Sequence, residues 1–318
     1  MTKPGRRYDT AQFEQQRLTN GIPVWIQRSP IYLSDEGILI GFLPGVGSCR
    51  DPKGQEGTAH FFEHMPLKGT ESFPSSSSIS AAVKGRGGSY NASTATEWTR
   101  FYVQLARPHF ETAVHVVSDL IAKPLLREED VLTERGVIAD EHLRSLPFLG
   151  GNKAMQDLAN SVVGDYPYNH PVIGRRRSIK SMTRMALVDF WEQHYHAGNL
   201  QFIVGGAFAE RSDVLDTLNK EFGNVRSGTP APVIAPPSCS HKHFRLTSPL
   251  YVRSALIMGW MIPPPEGRKS YAMEVLLSAL GTGVDAPLVE HRAHNPNPAI
   301  VRQRTRRLAL ATRWPRPT

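Results

Sequence analysis

The stretch HFFEH, residues 60–64, constrains this chain more than any other. On a helix turning about 100° per residue, Glu63 falls to one side of His60 and His64 to the other, so the three polar side chains share one arc. Phe61 and Phe62 fall outside it. The segment therefore divides into a ligand face and an aromatic core face. Histidines four apart can grip one ion, and a carboxylate beside them can take a proton from a water on that ion. The order H-x-x-E-H inverts the commoner H-E-x-x-H and is a zinc-peptidase signature. The competing reading is a helix surface whose polar groups are satisfied by ordinary hydrogen bonds.

A catalytic zinc site needs a third protein ligand. ERGVIADEHL supplies Glu134 and Glu141, seven residues apart and so on one helix face. Val137 and Ile138 lie on that face too. Carboxylates in an apolar stripe need a cation or hydrogen bonds, or they are neutralised. A zinc ion would supply the cation. Pairing with Arg135 or Arg144 is the structural alternative.

Length and composition bound the rest. A chain of 318 residues predicts two domains, and 40% hydrophobic with 21% charged residues is ordinary for a globular fold. No apolar run approaches the ~18–20 residues of a membrane span. MTKPGRRYDT has basic residues but no apolar stretch behind it, so no secretory signal is expected and a cytoplasmic protein is the simplest reading. Cys49 and Cys239 sit in no CxxC pair, which predicts free thiols and excludes a cysteine-based zinc site. Six of the net +8 charges lie in the last 18 residues, leaving the body nearly neutral. Neither nucleic acid nor membrane is therefore expected as a partner.

Along the chain, RLTNGIPVWIQRSP predicts a hairpin strand after an Asn20-Gly21 turn, and GILIGFLPGVGS a buried strand. SFPSSSSIS reads as a polar loop. GRGGS (85–89) reads as a turn before two strands, and a phosphate loop would need a following Lys-Ser/Thr. RRR (175–177) reads as a solvated loop. Helices are predicted in HFETAVHVVSDLIAKP, in REEDVLTERGVIADEHLRSL, near residues 152–163 and in TRMALVDFWEQHYH, with a strand in LQFIVGGAF. The Pro/Ser-rich stretch 226–243 predicts an interdomain linker. Beyond it, ALIMGWMIPPPEG echoes ILIGFLPGVGSCRDPKG, which predicts a degenerate internal duplication lacking the histidine motif. The domains expected are a catalytic unit at 1–225, a partial second copy at 244–292 and an unpatterned, Arg/Pro-rich tail at 293–318. That tail reads as a truncated or frame-shifted end.

GTAHFFEHMPLKGT resembles the zinc-helix segment of the pitrilysin/insulinase family of metallopeptidases. In that family a glutamate ligand follows the second histidine after about 76 residues, and 76 separate His64 from Glu141. ERGVIADEHLRS and NASTATEWTRFY resemble further family segments, as do LTNGIPV and the run from YNHPVIG to LQFIVGG. The resemblance spans roughly residues 12–290. It implies an α+β fold of two homologous domains, each a mixed β-sheet with helices packed on it, forming half of a clam-shaped chamber, with the second copy incomplete here. It implies one zinc per chain on His60, His64 and Glu141, with Glu63 as general base and Glu134 supporting the site. Asn91 and Ala92 would lie near the peptide, and a homo- or heterodimer with a second two-domain chain would close around it. The chain departs from the family in two places. Pro66, two residues past His64, should end the helix early without disturbing the ligands. The family's other half carries an Arg and, seven residues on, a Tyr that contact substrate. VEHRAHNPNPA offers Arg292, but Ala299 stands where the Tyr would be.

Overall fold

The computed structural model describes residues 12–28, 35–145 and 167–234, with Ala272, Val275 and Leu276. The region near 152–163, the duplicated segment, Arg292 and the tail lie outside the described residues, apart from those three positions. The chain divides into two compact units, residues 1–141 with 170–235, and residues 142–169 with 236–318. Of the second unit, residues 142–145 continue a helix and 167–169 lie in a turn, while Ala272, Val275 and Leu276 are helical and exposed.

The first unit is built on one mixed six-stranded sheet in the order β1-β2-β6-β3-β5-β4. Strands β1 (Gln12–Arg17) and β2 (Pro23–Arg28) pair antiparallel across the Asn20-Gly21 turn. Gly21 has φ 85° there, which a side chain would oppose. β3 (Glu36–Pro44) sits centrally between β5 (Trp98–Ala106) and β6 (Gln201–Gly206), antiparallel to both. β6 runs parallel to β2, so the last of the described strands lies inside the sheet. β4 (Ser89–Thr94) pairs with β5 and forms one edge.

Period-two alternation gives the sheet one buried face, with Leu39, Leu43, Phe101, Val103, Phe202 and Val204 all at 1% exposure or less. Helix α3 (Phe110–Ala122) packs on it. A Cβ on Gly41 would come within 2.5 Å of Ile121, so β3 and α3 approach closely through that glycine. The other helices of the unit are α1 (Thr58–His64), α2 (Ser76–Val83), most of α4 (Glu128–Ser145), α5 (Arg176–Ser181), α6 (Arg184–His194) and α7 (Val214–Phe222). Phe62 of α1 meets Tyr195 at 4.4 Å between ring centroids, and Phe202 of β6 meets Phe222 of α7 at 4.3 Å. Each such fully buried aromatic contributes roughly 1.5–3 kcal/mol.

Three stretches differ from the sequence reading. The predicted polar loop SFPSSSSIS contains α2. Ser75 caps it through a reciprocal pair with Ser78, and Ile79 and Val83, four apart, are the residues it buries. A serine cluster is cap chemistry as readily as loop chemistry. RRR (175–177) enters α5 instead of staying a loop. α7 goes unassigned from sequence, although Val214, Leu218 and Phe222 recur at helical spacing and are all buried. Among the described residues no helix is long and apolar enough to cross a membrane.

Candidate active site

Helix α1 is positioned from its first turn. Gly57 precedes it with φ 100°, and a Cβ there would lie 2.6 Å from the Ile173 carbonyl oxygen. Asp51 Oδ2 accepts from the Gly57 N–H at 2.6 Å and Oδ1 from the Ala59 N–H at 2.8 Å. The carboxylate thus satisfies two of the free amides at the helix start. His170 holds it in turn, with Nε2 3.1 Å from Asp51 Oδ2 and 3.0 Å from the Ser48 carbonyl. Burial first of all pushes the Asp51 carboxyl above its ordinary range, against its hydrogen bonds from His170, Ala59 and Gly57.

The helix then separates its two faces as the spacing predicts. Phe61 and Phe62 are fully buried, while His60, Glu63 and His64 face the other way towards α4 and β4. α1 ends at His64, and Pro66 opens a 3-10 turn over Pro66–Lys68, the early end expected of that proline.

α4 brings the distant carboxylates. Glu141 Oε1 lies 3.7 Å from His60 Nε2, and its Oε2 lies 3.6 Å from His64 Nε2. Ligand atoms of His60, His64 and Glu141 all fall within 4.8 Å of one another. Donors each ~2.0–2.2 Å from a tetrahedral zinc stand roughly 3.3–3.6 Å apart. The two histidine-to-Glu141 separations are near that spacing, and the donor types, two nitrogens and an oxygen, suit zinc. Burial, then the neighbouring His64, hold the His60 imidazole down to about 3, leaving it neutral as a ligand must be.

His64 is oriented by Glu134, whose Oε1 is 2.9 Å from Nδ1. A carboxylate accepts, so Nδ1 carries the hydrogen and Nε2 is the ring nitrogen on the Glu141 side that could ligate a metal. Burial would depress the His64 imidazole, but this hydrogen bond and the charges of Glu63, Glu134 and Glu141 hold it above its usual value. Glu134 is 4% exposed, and Lys68 Nζ meets its Oε2 at 2.6 Å. Burial would raise that carboxyl, yet the hydrogen bonds from His64 and Lys68 keep it below the usual glutamate range.

The cation beside Glu134 is therefore Lys68, in place of Arg135 or Arg144. Arg135 Nε donates instead to the Met182 carbonyl. The apolar stripe expected around both glutamates is half present. Ile138 is buried and Val137 is 41% exposed, because the two flank the Glu134–Glu141 row on opposite sides.

Glu63, 7% exposed, lies against Thr94 of β4. Burial raises its carboxyl above the ordinary value, while hydrogen bonding to Thr94 and the charge of His64 oppose the rise. β4 also carries Asn91 and Ala92. Asn91 is exposed at the sheet edge, whereas the Ala92 side chain is 6% exposed and joins the core. The Ala92 N–H donates to Asn91 Oδ1 at 3.0 Å. The outer edge of β4 has no partner strand among the described residues. Three residues of this constellation escape the sequence reading: Asp51, Lys68 and His170. A Lys two residues past a helix-ending Pro was a visible signal for one, and the distance from His170 to Asp51 in sequence hid another.

The sequence profile described as Insulinase (Peptidase family M16) matches residues 35–145, the stretch holding His60, Glu63, His64, Glu134 and Glu141. A second profile, Peptidase M16 inactive domain, matches residues 181–295. The chain belongs to the insulinase family of peptidases. The second profile begins upstream of β6, a strand inside the first unit's sheet, so profile and packing boundaries differ. Within the insulinase family the chain is 26% identical over 287 residues to an uncharacterized zinc protease of Rickettsia felis, covering 88% of this chain and 66% of that one. It is 30% identical over 200 residues to Protease 3 of Salmonella typhimurium, covering 62% of this chain and 20% of that one. The crystal structure of pitrilysin superposes with a TM-score of 0.61 at 26% identity, over 73% of this chain and 25% of that chain. The chain thus spans less than two thirds of the length of these relatives.

Proposed function

We propose that this chain is a zinc-dependent metalloendopeptidase that hydrolyses peptides or small unfolded proteins. The observation carrying this reading is the convergence of His60, His64 and Glu141 on one point with Glu63 beside it. His60, His64 and Glu141 would hold one zinc, which supplies a Lewis acid for the scissile carbonyl and lowers the pKa of an attacking water.

The protein groups divide the remaining work. Glu63, buried and with its carboxyl raised toward the working range of a base, takes the proton from the attacking water and delivers it to the leaving amine. Glu134 fixes the His64 tautomer. An extended peptide would lie along the outer edge of β4 near Asn91 and Ala92, as an added strand beside the site. Arg292 would be a further substrate contact, on the family resemblance alone. A homo- or heterodimer with a second two-domain chain would complete the chamber. A reducing, cytoplasmic setting is the reading of a chain whose two cysteines, Cys49 and Cys239, sit in no CxxC pair.

The test pairs zinc content with cleavage of a quenched peptide library by wild type and Glu63→Gln. Loss of at least about a hundredfold in kcat with zinc retained is expected of a general base. Unchanged cleavage in the variant would sink the mechanism. A second reading, a non-catalytic member of the same fold, rests on Ala299 standing where the family's Tyr would be. Zinc bound stoichiometrically by wild type without cleavage would favour it.

A further inference from the structure

The two histidines of α1 are supported unequally. The Nδ1 of His60 is buried and has no hydrogen-bond partner among the described residues, where the ring is held by packing and by its 4.7 Å contact with the His64 ring. His64 Nδ1 is gripped by Glu134 Oε1 at 2.9 Å. Glu134 is gripped in turn, because Lys68 Nζ holds its other oxygen at 2.6 Å. Lys68 reaches that point because Pro66 ends α1 and the 3-10 turn directs the side chain toward α4. The support of the histidine pair thus runs through one carboxylate, hydrogen-bonded to His64 at one oxygen and ion-paired with Lys68 at the other, and its outer end is Lys68.

We propose that Lys68 is a positioning residue for the metal site, fixing Glu134 so that His64 keeps Nδ1 protonated and Nε2 directed at Glu141. The inference rests on the reading that His60, His64 and Glu141 hold zinc. A carboxylate held at one oxygen can turn about its terminal bond, and the imidazole it orients then samples other rotamers and its other tautomer. Outer partners of metal-bound histidines commonly set 10–100-fold in affinity.

The sign of the effect separates positioning from bare charge. Removing a cation near a dication should tighten metal binding by simple Coulomb interaction. Removing a positioning group should weaken it. Lys68 is 30% exposed, so its replacement leaves the core intact.

The experiment measures zinc affinity of the full chain by chelator competition, with the cobalt(II) absorption spectrum as a report on ligand geometry. Lys68→Met should bind zinc about tenfold more weakly, with an altered cobalt spectrum. Lys68→Arg, which keeps the ion pair, should stay within about threefold of wild type. In a Glu134→Gln background Lys68→Met should add less than about twofold, since the two act in one chain. Unchanged or tighter binding by Lys68→Met, or no recovery in Lys68→Arg, overturns the proposal. Failure of wild type to bind zinc overturns the site reading itself, a distinct outcome.

Discussion

Replacing Asp51 should loosen the start of the zinc helix, and the structure sets the size of the effect. Asp51 accepts the Gly57 N–H at 2.6 Å and the Ala59 N–H at 2.8 Å on separate oxygens, and both lie in buried surroundings. In Asp51→Asn one oxygen survives, while the new NH2 faces a donor. One buried N–H then loses its acceptor, at about 1–3 kcal/mol. In Asp51→Ala both lose theirs, together with one of the partners of His170, at roughly 3–4 kcal/mol. Urea unfolding of the full chain, followed by far-UV circular dichroism, reads these differences as midpoint shifts at constant slope. The order wild type, Asn, Ala is expected. A loss below about 0.5 kcal/mol for Asp51→Ala, the size of an ordinary surface change, would show that α1 does not depend on this carboxylate.

Other outcomes follow from the same packing. Asp119 is fully buried and accepts from Thr70 Oγ1 and the Ser72 N–H at 2.9 and 2.8 Å. Burial would raise its carboxyl, but these bonds and Lys123 hold it below the ordinary 3.8. Its stabilisation is therefore complete above about pH 4 and lost as pH falls through the lowered value. Asp119→Asn should flatten the acid limb of a stability-versus-pH curve, and an unchanged limb refutes the assignment. Gly57→Ala should cost roughly 2–3 kcal/mol by thermal melt, because φ 100° and the Ile173 carbonyl both oppose a Cβ. Saturating zinc at about a hundred times its dissociation constant should add about 2.7 kcal/mol of stability. Chelation should remove that gain and His60→Ala should abolish it, whereas a metal-independent melting curve for wild type contradicts the ligand set.

The sequence by itself determined the ligand face of α1, because a 3.6-residue period fixes where five neighbouring side chains point. It determined that Glu134 and Glu141 share a helix row, for the same reason. It also marked the early end of α1, since Pro66 cannot continue a helix. Only the tertiary structure decided what these rows face. The approach of α4 to α1 sets Glu141 beside both histidines and Glu134 behind His64, and the turn after Pro66 selects Lys68 over Arg135 as the partner of Glu134. Whether Val137 or Ile138 is buried depends on which side of α4 meets the core, and periodicity leaves both choices open. The grip of His170 on Asp51 joins residues 119 positions apart, and no local pattern encodes such a pairing. Local periods set side-chain directions, and long-range packing chose which of them meet.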